Sequence, residues 1–205
     1  MRSPSSSLAV TFGVCLAVIL PLSGFSQPGG QALRSLTYES IALHRSHESD
    51  SDNLFKNGDF DNGLDGWNVQ SWGKKGRANV DTEERHGDQP SLRISNGTAD
   101  NTFVTQVVRV TPSRRYRLSC WVKTHDISVK QGRGNAGATL WIAGGWEATK
   151  VVKRAEDWIR LEMIFDSGKR TEIQAGPRLG QWGGILTGTA WFSDVSLVDL
   201  GSSGR

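Results

Sequence analysis

The chain has 205 residues, of which 37% are hydrophobic, and carries a formal net charge of +3 at pH 7. This surplus is too small, and its lysines and arginines are too evenly mixed with acidic residues, to drive binding to nucleic acid or to an anionic membrane. The length allows one domain of roughly 150 residues, which buries about two thirds of the surface that its unfolded chain exposes.

The N-terminal segment predicts a signal peptide. Arg2 precedes an apolar run over residues 8–22, which is too short to cross a bilayer comfortably. Gly24 and Ser26 have the small-x-small spacing of a signal peptidase site, which predicts cleavage before Gln27. A retained membrane anchor or a lipoprotein is the alternative. The mature chain is expected to be secreted, extracellular or periplasmic, without a membrane attachment.

The remainder divides into a linker, one domain and a short tail. Residues 27–52 are polar and mixed, residues 53–200 have the patterning of a folded domain, and residues 201–205 are a tail. Cys15 lies in the signal peptide, so Cys120 has no partner for a disulfide within the mature chain. The stability of the domain must therefore come from its hydrophobic core.

Short segments with a two-residue period predict strands throughout this domain. In two of them, alternate residues form one apolar face: Tyr116, Leu118, Cys120 and Val122 in the first, and Ile159, Leu161, Met163 and Phe165 in the second. Turn residues separate the segments, and no stretch of ten or more residues has helical periodicity. The pattern predicts an all-β fold in which two antiparallel sheets pack face to face.

The sequence contains no motif that by itself indicates an enzyme. The sequence has no His-Glu-x-x-His zinc motif and no Gly-x-Ser-x-Gly nucleophile elbow. Residues 132–137 fit a dinucleotide fingerprint, but they precede a strand instead of opening a helix. Tyr116, the tyrosine that a lyase would need, falls on the apolar face. Any two of the 21 acidic residues can still meet in a cleft, so a glycan-active hydrolase or lyase is an open alternative.

Residues 53–67 resemble the opening strand of carbohydrate-binding modules of the cellulase-associated type, families four, nine and twenty-two. Further segments resemble that family in the same order: residues 86–94, 106–112, 116–123, 157–158 and 191–197. The resemblance implies a galactose-binding-like jelly-roll β-sandwich that binds polysaccharide or oligosaccharide. It also implies a non-catalytic role, with a glycoside hydrolase as a possible partner. An adhesion domain that binds protein is a further alternative.

The same resemblance implies a structural calcium ion where the first and last strands meet. Asp59, Asp61 and Asp194 are the candidate ligands, since calcium prefers several oxygen atoms. The family's usual glutamate is the shorter Asp61, and Ser193 replaces the first acid of its closing pair, which would weaken the site. Alternatively, the first two aspartates are ordinary turn residues.

Tryptophans are the candidate binding residues, because the flat C–H faces of sugar rings stack on indole. Trp121 and Trp141 alternate with apolar residues, which predicts that they point away from the core, the former beside Arg117. A loop covering them is the alternative. Glycine-rich loops carry three more candidates, which rim a groove or plug the end of the sandwich: Trp72, Trp146 and Trp182. The strand before the last of these offers Gln174 and Arg178 as hydrogen-bonding residues, while three tryptophans are expected to pack in the core: Trp67, Trp158 and Trp191.

Overall fold

The computed structural model describes residues 52–132, 135–181 and 183–202. The predicted signal peptide, Cys15, nearly all of the predicted linker and Trp182 lie outside these residues. The described part consists of strands joined by turns: β1 Asn68–Ser71, β2 Arg77–His86, β3 Gln89–Asp100, β4 Thr102–Arg109, β5 Arg114–Gln131, β6 Gly137–Ile142, β7 Ile159–Asp166, β8 Glu172–Gly180 and β9 Ile185–Ser202. Across these ranges, no helix has the length and apolar character needed to cross a membrane.

The strands form two antiparallel sheets. One has four strands in the order β1-β4-β8-β6, and the other has five in the order β2-β3-β9-β5-β7. Strands that are distant in sequence are neighbours in both sheets, as in a jelly-roll β-sandwich. The predicted all-β, two-sheet fold is confirmed.

The core lies between the two sheets and contains the predicted apolar faces. On β5, Tyr116, Leu118, Cys120 and Val122 are all at most 1% exposed. On β7, Leu161 and Phe165 are buried, whereas Ile159 and Met163 are only half-buried. The difference is consistent with the position of β7 at the edge of its sheet, where one side of the strand has no neighbouring strand.

The N-terminal motif forms a series of turns instead of the strand that the resemblance predicted. Its aromatic residues pack together: the ring centroids of Phe55 and Phe60 lie 5.1 and 5.6 Å from that of Trp67. The Trp67 indole N–H donates to the Asn57 carbonyl oxygen at 2.9 Å. Trp67 is 8% exposed, so its predicted place in the core is confirmed.

Gly58 in this motif has no room for a side chain. A Cβ atom there would overlap the Val195 carbonyl oxygen, in the segment where the Val195 N–H donates to the Gly58 carbonyl oxygen. We expect Gly58→Ala to lower the free energy of unfolding by about 1–3 kcal/mol, as overpacking does. Urea unfolding measures this, with Gly97→Ala as the control because no atom lies within 4 Å of a Cβ at that position. Equal stability of the two variants would contradict the packing argument.

Two tryptophans expected in the core lie outside it. Trp191 alternates with buried Phe192 on β9 and is half-buried on the outer face of the five-stranded sheet, where its indole N–H donates to Asp81 Oδ2 at 2.9 Å. Trp158 is also half-buried, and its ring lies edge-on to the imidazole of His86, with centroids 5.5 Å apart. Both indoles therefore pack partly on polar side chains.

Candidate functional site

The outer face of the four-stranded sheet carries two aromatic side chains and an arginine that contact one another. Strand pairing aligns Phe103 with Arg178, and Arg178 with Thr139, so these three residues point to the same face. Trp141 lies two residues further along β6 on that face. The three side chains of Phe103, Arg178 and Trp141 therefore come from neighbouring strands β4, β8 and β6.

These side chains stack on one another. The Arg178 guanidinium carbon lies 4.5 Å from the Trp141 ring centroid and 5.7 Å from that of Phe103. The two rings also meet edge to face, with centroids 5.4 Å apart. Such cation–π and aromatic contacts fix the orientation of the indole ring. Trp141 is thus held in place before any ligand arrives.

A depression opens beside this stack. Its volume is about 420 Å³, and its described lining consists of Gln70, Ser71, Trp72, Phe103, Trp141 and Arg178. Trp72 is 69% exposed, so its ring forms an open wall, while Trp141 is half-buried. Aromatic faces with a few polar groups between them are the usual lining of a small-molecule site. We call this surface the aromatic depression.

The loop that carries Trp72 is held by one buried carboxylate. Asp100, which is 1% exposed, accepts hydrogen bonds from the Ser71 hydroxyl at 2.6 Å and from the backbone N–H groups of Gly73, Lys75 and Gly76 at 2.7, 2.8 and 2.9 Å. The Asn101 N–H donates to the same carboxylate at 2.7 Å. Burial by itself would raise the pKa of Asp100, but these hydrogen bonds outweigh it and hold the pKa well below its ordinary value.

Asn101 connects the loop to the stack. Its carbonyl oxygen accepts the N–H of Trp72 at 3.1 Å, and its side-chain oxygen accepts the Nε–H of Arg178 at 2.9 Å. Burial lowers the pKa of Arg178 to about 10, so the guanidinium remains charged at neutral pH. Asp100 and Asn101, at the junction of β3 and β4, thus position both walls of the aromatic depression.

Four of the sequence-predicted binding residues lie on this face. Trp72, Trp141 and Arg178 line the aromatic depression together. Gln174 lies further along β8, where its side-chain amide donates to the Thr105 hydroxyl at 2.8 Å. Phe103 was missed, although its alternation with buried Val104 shows that it points outward.

Trp121 and Arg117 are on a different surface. Both lie on β5, in the five-stranded sheet, whereas Trp141 lies on β6, in the four-stranded sheet. The indole of Trp121 is half-buried and stacks on the His86 ring, with centroids 4.3 Å apart. Nε of Arg117 lies 3.9 Å from a carboxylate oxygen of Glu162. The two residues do not contribute to the aromatic depression.

Trp146 borders a second depression. It is 81% exposed and lines a space of about 370 Å³ together with Asn135, Gln181 and several glycines. Residues 133, 134 and 182 are outside the described ranges, so the position of Trp182 relative to this surface stays a prediction.

Of the three predicted calcium ligands, Asp59 and Asp61 contact each other, and Asp194 contacts a histidine. Asp61 donates its N–H to the Asp59 carboxylate at 3.3 Å, as turn residues do, while Asp194 Oδ2 lies 2.9 Å from Nδ1 of His86. Among the described residues, no group of three or more His, Cys, Asp or Glu side chains can hold a metal ion. Calcium binding stays a prediction, which a melting temperature raised by calcium would support.

A β-sandwich with an open aromatic surface on one sheet is an architecture suited to binding flat, hydroxyl-rich ligands. Comparison with known proteins agrees. Residues 52–175 match the family described as "Carbohydrate binding domain". This match covers more than half of the chain, which therefore belongs to the carbohydrate-binding domain family.

Two known proteins are similar in sequence to parts of this chain. Exochitinase 1 of Streptomyces olivaceoviridis is 27% identical over 163 residues, which are 79% of this chain and 24% of the exochitinase. The pesticidal crystal protein Cry1Aa of Bacillus thuringiensis is 35% identical over 91 residues, 44% of this chain and 6% of that protein. The chain thus spans only a minor part of either relative.

Solved structures agree on the fold. The module TmCBM61, solved in complex with β-1,4-galactotriose, has a TM-score of 0.51 and 16% identity, covering 72% of this chain and 98% of the module. A domain of the bacteriophage CBA120 tailspike protein 4 has a TM-score of 0.54 and 13% identity, covering 73% of this chain and 22% of that chain. At these identities the likeness supports the β-sandwich fold alone.

Proposed function

We propose that this chain is a secreted, non-catalytic carbohydrate-binding module that docks polysaccharide or oligosaccharide in the aromatic depression. The observation that carries the proposal is the arrangement of Trp72, Phe103 and Trp141 around one open surface. Family membership supports sugar as the ligand class. The apolar segment near the N-terminus, with its signal peptidase pattern, supports secretion to an extracellular or periplasmic location.

The chemistry of the depression is suited to stacking and hydrogen bonding. The indole of Trp72 offers an exposed face for the C–H groups of a sugar ring, and the Gln70 and Ser71 side chains can bond its hydroxyls. Among the described lining residues there is no carboxylate, histidine or cysteine that would act as an acid, base or nucleophile. This supports a role in holding glycan, with a glycoside hydrolase as the candidate partner that cleaves it.

Affinity electrophoresis of the purified chain tests the proposal. The gels should contain soluble glucan, xylan, mannan, galactan or a chitin derivative, and bovine serum albumin should run beside the chain as a non-binding control. We expect at least one glycan to retard the chain and none to release reducing sugar on incubation. Unchanged migration in every gel would contradict carbohydrate binding, and release of sugar that depends on one carboxylate would contradict the non-catalytic role.

A further inference from the structure

The charges around the aromatic depression bear on which chemical class of glycan it can bind. The one charged side chain among its described lining residues is Arg178, which is 4% exposed and contacts the rings of both Phe103 and Trp141. Its Nε–H donates to the side-chain oxygen of Asn101 at 2.9 Å. A cation in this position is shielded from bulk water, so its field acts on a bound ligand with less screening than that of a surface lysine.

The loop that carries Trp72 adds positive charge near the aromatic depression. Lys74 and Lys75 follow Trp72 directly and are both exposed. The carboxylate beneath this loop, Asp100, is 1% exposed, and the loop's own N–H groups donate to it. Together with Arg178, these side chains give the site a formal charge of +2.

Acidic side chains on the same sheet lie away from the depression. Glu172 begins β8 six residues before Arg178, which is about 20 Å along a strand. It lies opposite Arg109 on β4. Glu147 is paired with Arg170 at 2.8 Å, outside the described lining. Neither of these two carboxylates is therefore among the described lining residues of the aromatic depression.

We propose that the aromatic depression prefers acidic glycans, whose sugar rings stack on Trp72 and Trp141 while an anionic substituent lies near Arg178 and the Lys74–Lys75 loop. This inference rests on the proposed function and specifies its ligand class. The substituent is a carboxylate or a sulfate, since both are planar or tetrahedral oxyanions that guanidinium and ammonium groups bind. A neutral sugar would stack equally well but would gain nothing from the charge.

Pairs of polymers with the same backbone separate charge from stacking. Polygalacturonate is compared with its fully methyl-esterified form, and dextran sulfate with dextran, by affinity electrophoresis at 20 mM and 500 mM NaCl. We expect the acidic member of at least one pair to bind about ten-fold more tightly at low salt, the effect of one well-placed charge. High salt should remove most of that difference. The pair that shows the preference identifies carboxylate or sulfate as the anionic group.

Variants of the chain test which residues produce the preference for acidic glycans. Lys74→Gln with Lys75→Gln changes only exposed side chains, so it should fold normally while losing part of the preference. Arg178→Gln should lose more of it than Arg178→Lys, which keeps the charge, and melting curves show whether each variant is folded. Poly-L-glutamate, an anion without sugar rings, should not bind. Trp141→Ala should weaken binding of both members of a pair.

The outcomes distinguish this inference from the proposed function. Equal binding of acidic and neutral members would overturn the preference and leave carbohydrate binding intact. Binding of poly-L-glutamate as tight as that of the acidic polymer would overturn it too, because charge alone would suffice. A preference that survives in the double lysine variant and in folded Arg178→Gln would place it elsewhere on the chain. Absence of binding to any glycan would contradict both.

Discussion

Replacing Trp141 with alanine is expected to weaken glycan binding by about 30-fold or more, as truncation of a central aromatic anchor does. The variant removes the indole that contacts Phe103 and Arg178, so the stacking surface and its fixed orientation are lost together. Trp141→Phe keeps one ring and should bind between the two. Isothermal titration calorimetry with the glycan that retards the chain most strongly measures the affinity.

Trp121→Ala is the matched control for this experiment. Both tryptophans are half-buried, point away from the core and contact an aromatic or cationic neighbour, but Trp121 lies on the other sheet. We expect its removal to lower the melting temperature by a similar amount and to leave the affinity unchanged. If Trp121→Ala abolished binding and Trp141→Ala did not, the binding surface would be the outer face of the five-stranded sheet.

Trp121 and Trp141 show which features of the fold could be predicted from the sequence and which could not. Alternation along a strand indicates which side chains face the core, because successive residues point to opposite faces. It therefore predicted both the buried face of β5 and the outward direction of Trp121 and Trp141. It does not indicate which sheet a strand joins. That depends on pairing between distant segments, such as β5 with β9 and β6 with β8.

The residues that organise the depression were harder to predict for a related reason. Asp100 binds a loop that lies 24 to 29 residues earlier in the chain, mostly through backbone N–H groups, which leave no signature in side-chain identity. Phe103 could have been found by extending the alternation of Val108 and Val110 backwards along β4. The N-terminal motif was recognised correctly, but its aromatic residues are presented by turns.

Asp100→Ala is expected to be the most destabilising of the polar substitutions discussed. It leaves the Ser71 hydroxyl and the N–H groups of Gly73, Lys75 and Asn101 without their acceptor, and the Gly76 N–H keeps only Ser71 Oγ at 3.1 Å. Buried groups that lose a charged partner cost about 2–4 kcal/mol in total at a partly accessible loop. For a domain of this size the melting temperature should fall by about 5–15 °C. Asp166→Ala is the control, because that carboxylate is 58% exposed and lies 3.6 Å from its partner Arg115, a surface pair worth little.

The difference in stability between wild type and Asp100→Ala should depend on pH, because the pKa of Asp100 is lowered in the folded chain. In the unfolded chain the carboxyl binds a proton near its ordinary value of 3.8, whereas the folded pKa lies well below it. The stabilisation by Asp100 is thus fully present above pH 5 and is lost as the pH falls through 3.8 towards the folded pKa. Urea unfolding at pH 7, 5 and 3 should show a constant difference between wild type and Asp100→Ala at the two higher values and a smaller one at pH 3. A difference that grew on acidification would contradict the assignment.

Asp100→Ala should also show how the loop contributes to ligand binding, because Asp100 holds the loop but is not itself among the described lining residues of the depression. Once the carboxylate is gone, the N–H groups of Gly73, Lys75 and Gly76 should exchange with solvent faster than in the wild type, while those in β5 remain protected. Trp72, released with the loop, must then be ordered by the ligand, and each ordered side chain costs about 0.5–1.5 kcal/mol of binding free energy. Glycan affinity measured well below the melting temperature should therefore fall by about two- to ten-fold. Wild-type affinity in a folded Asp100→Ala chain would show that Trp72 binds without being held in advance.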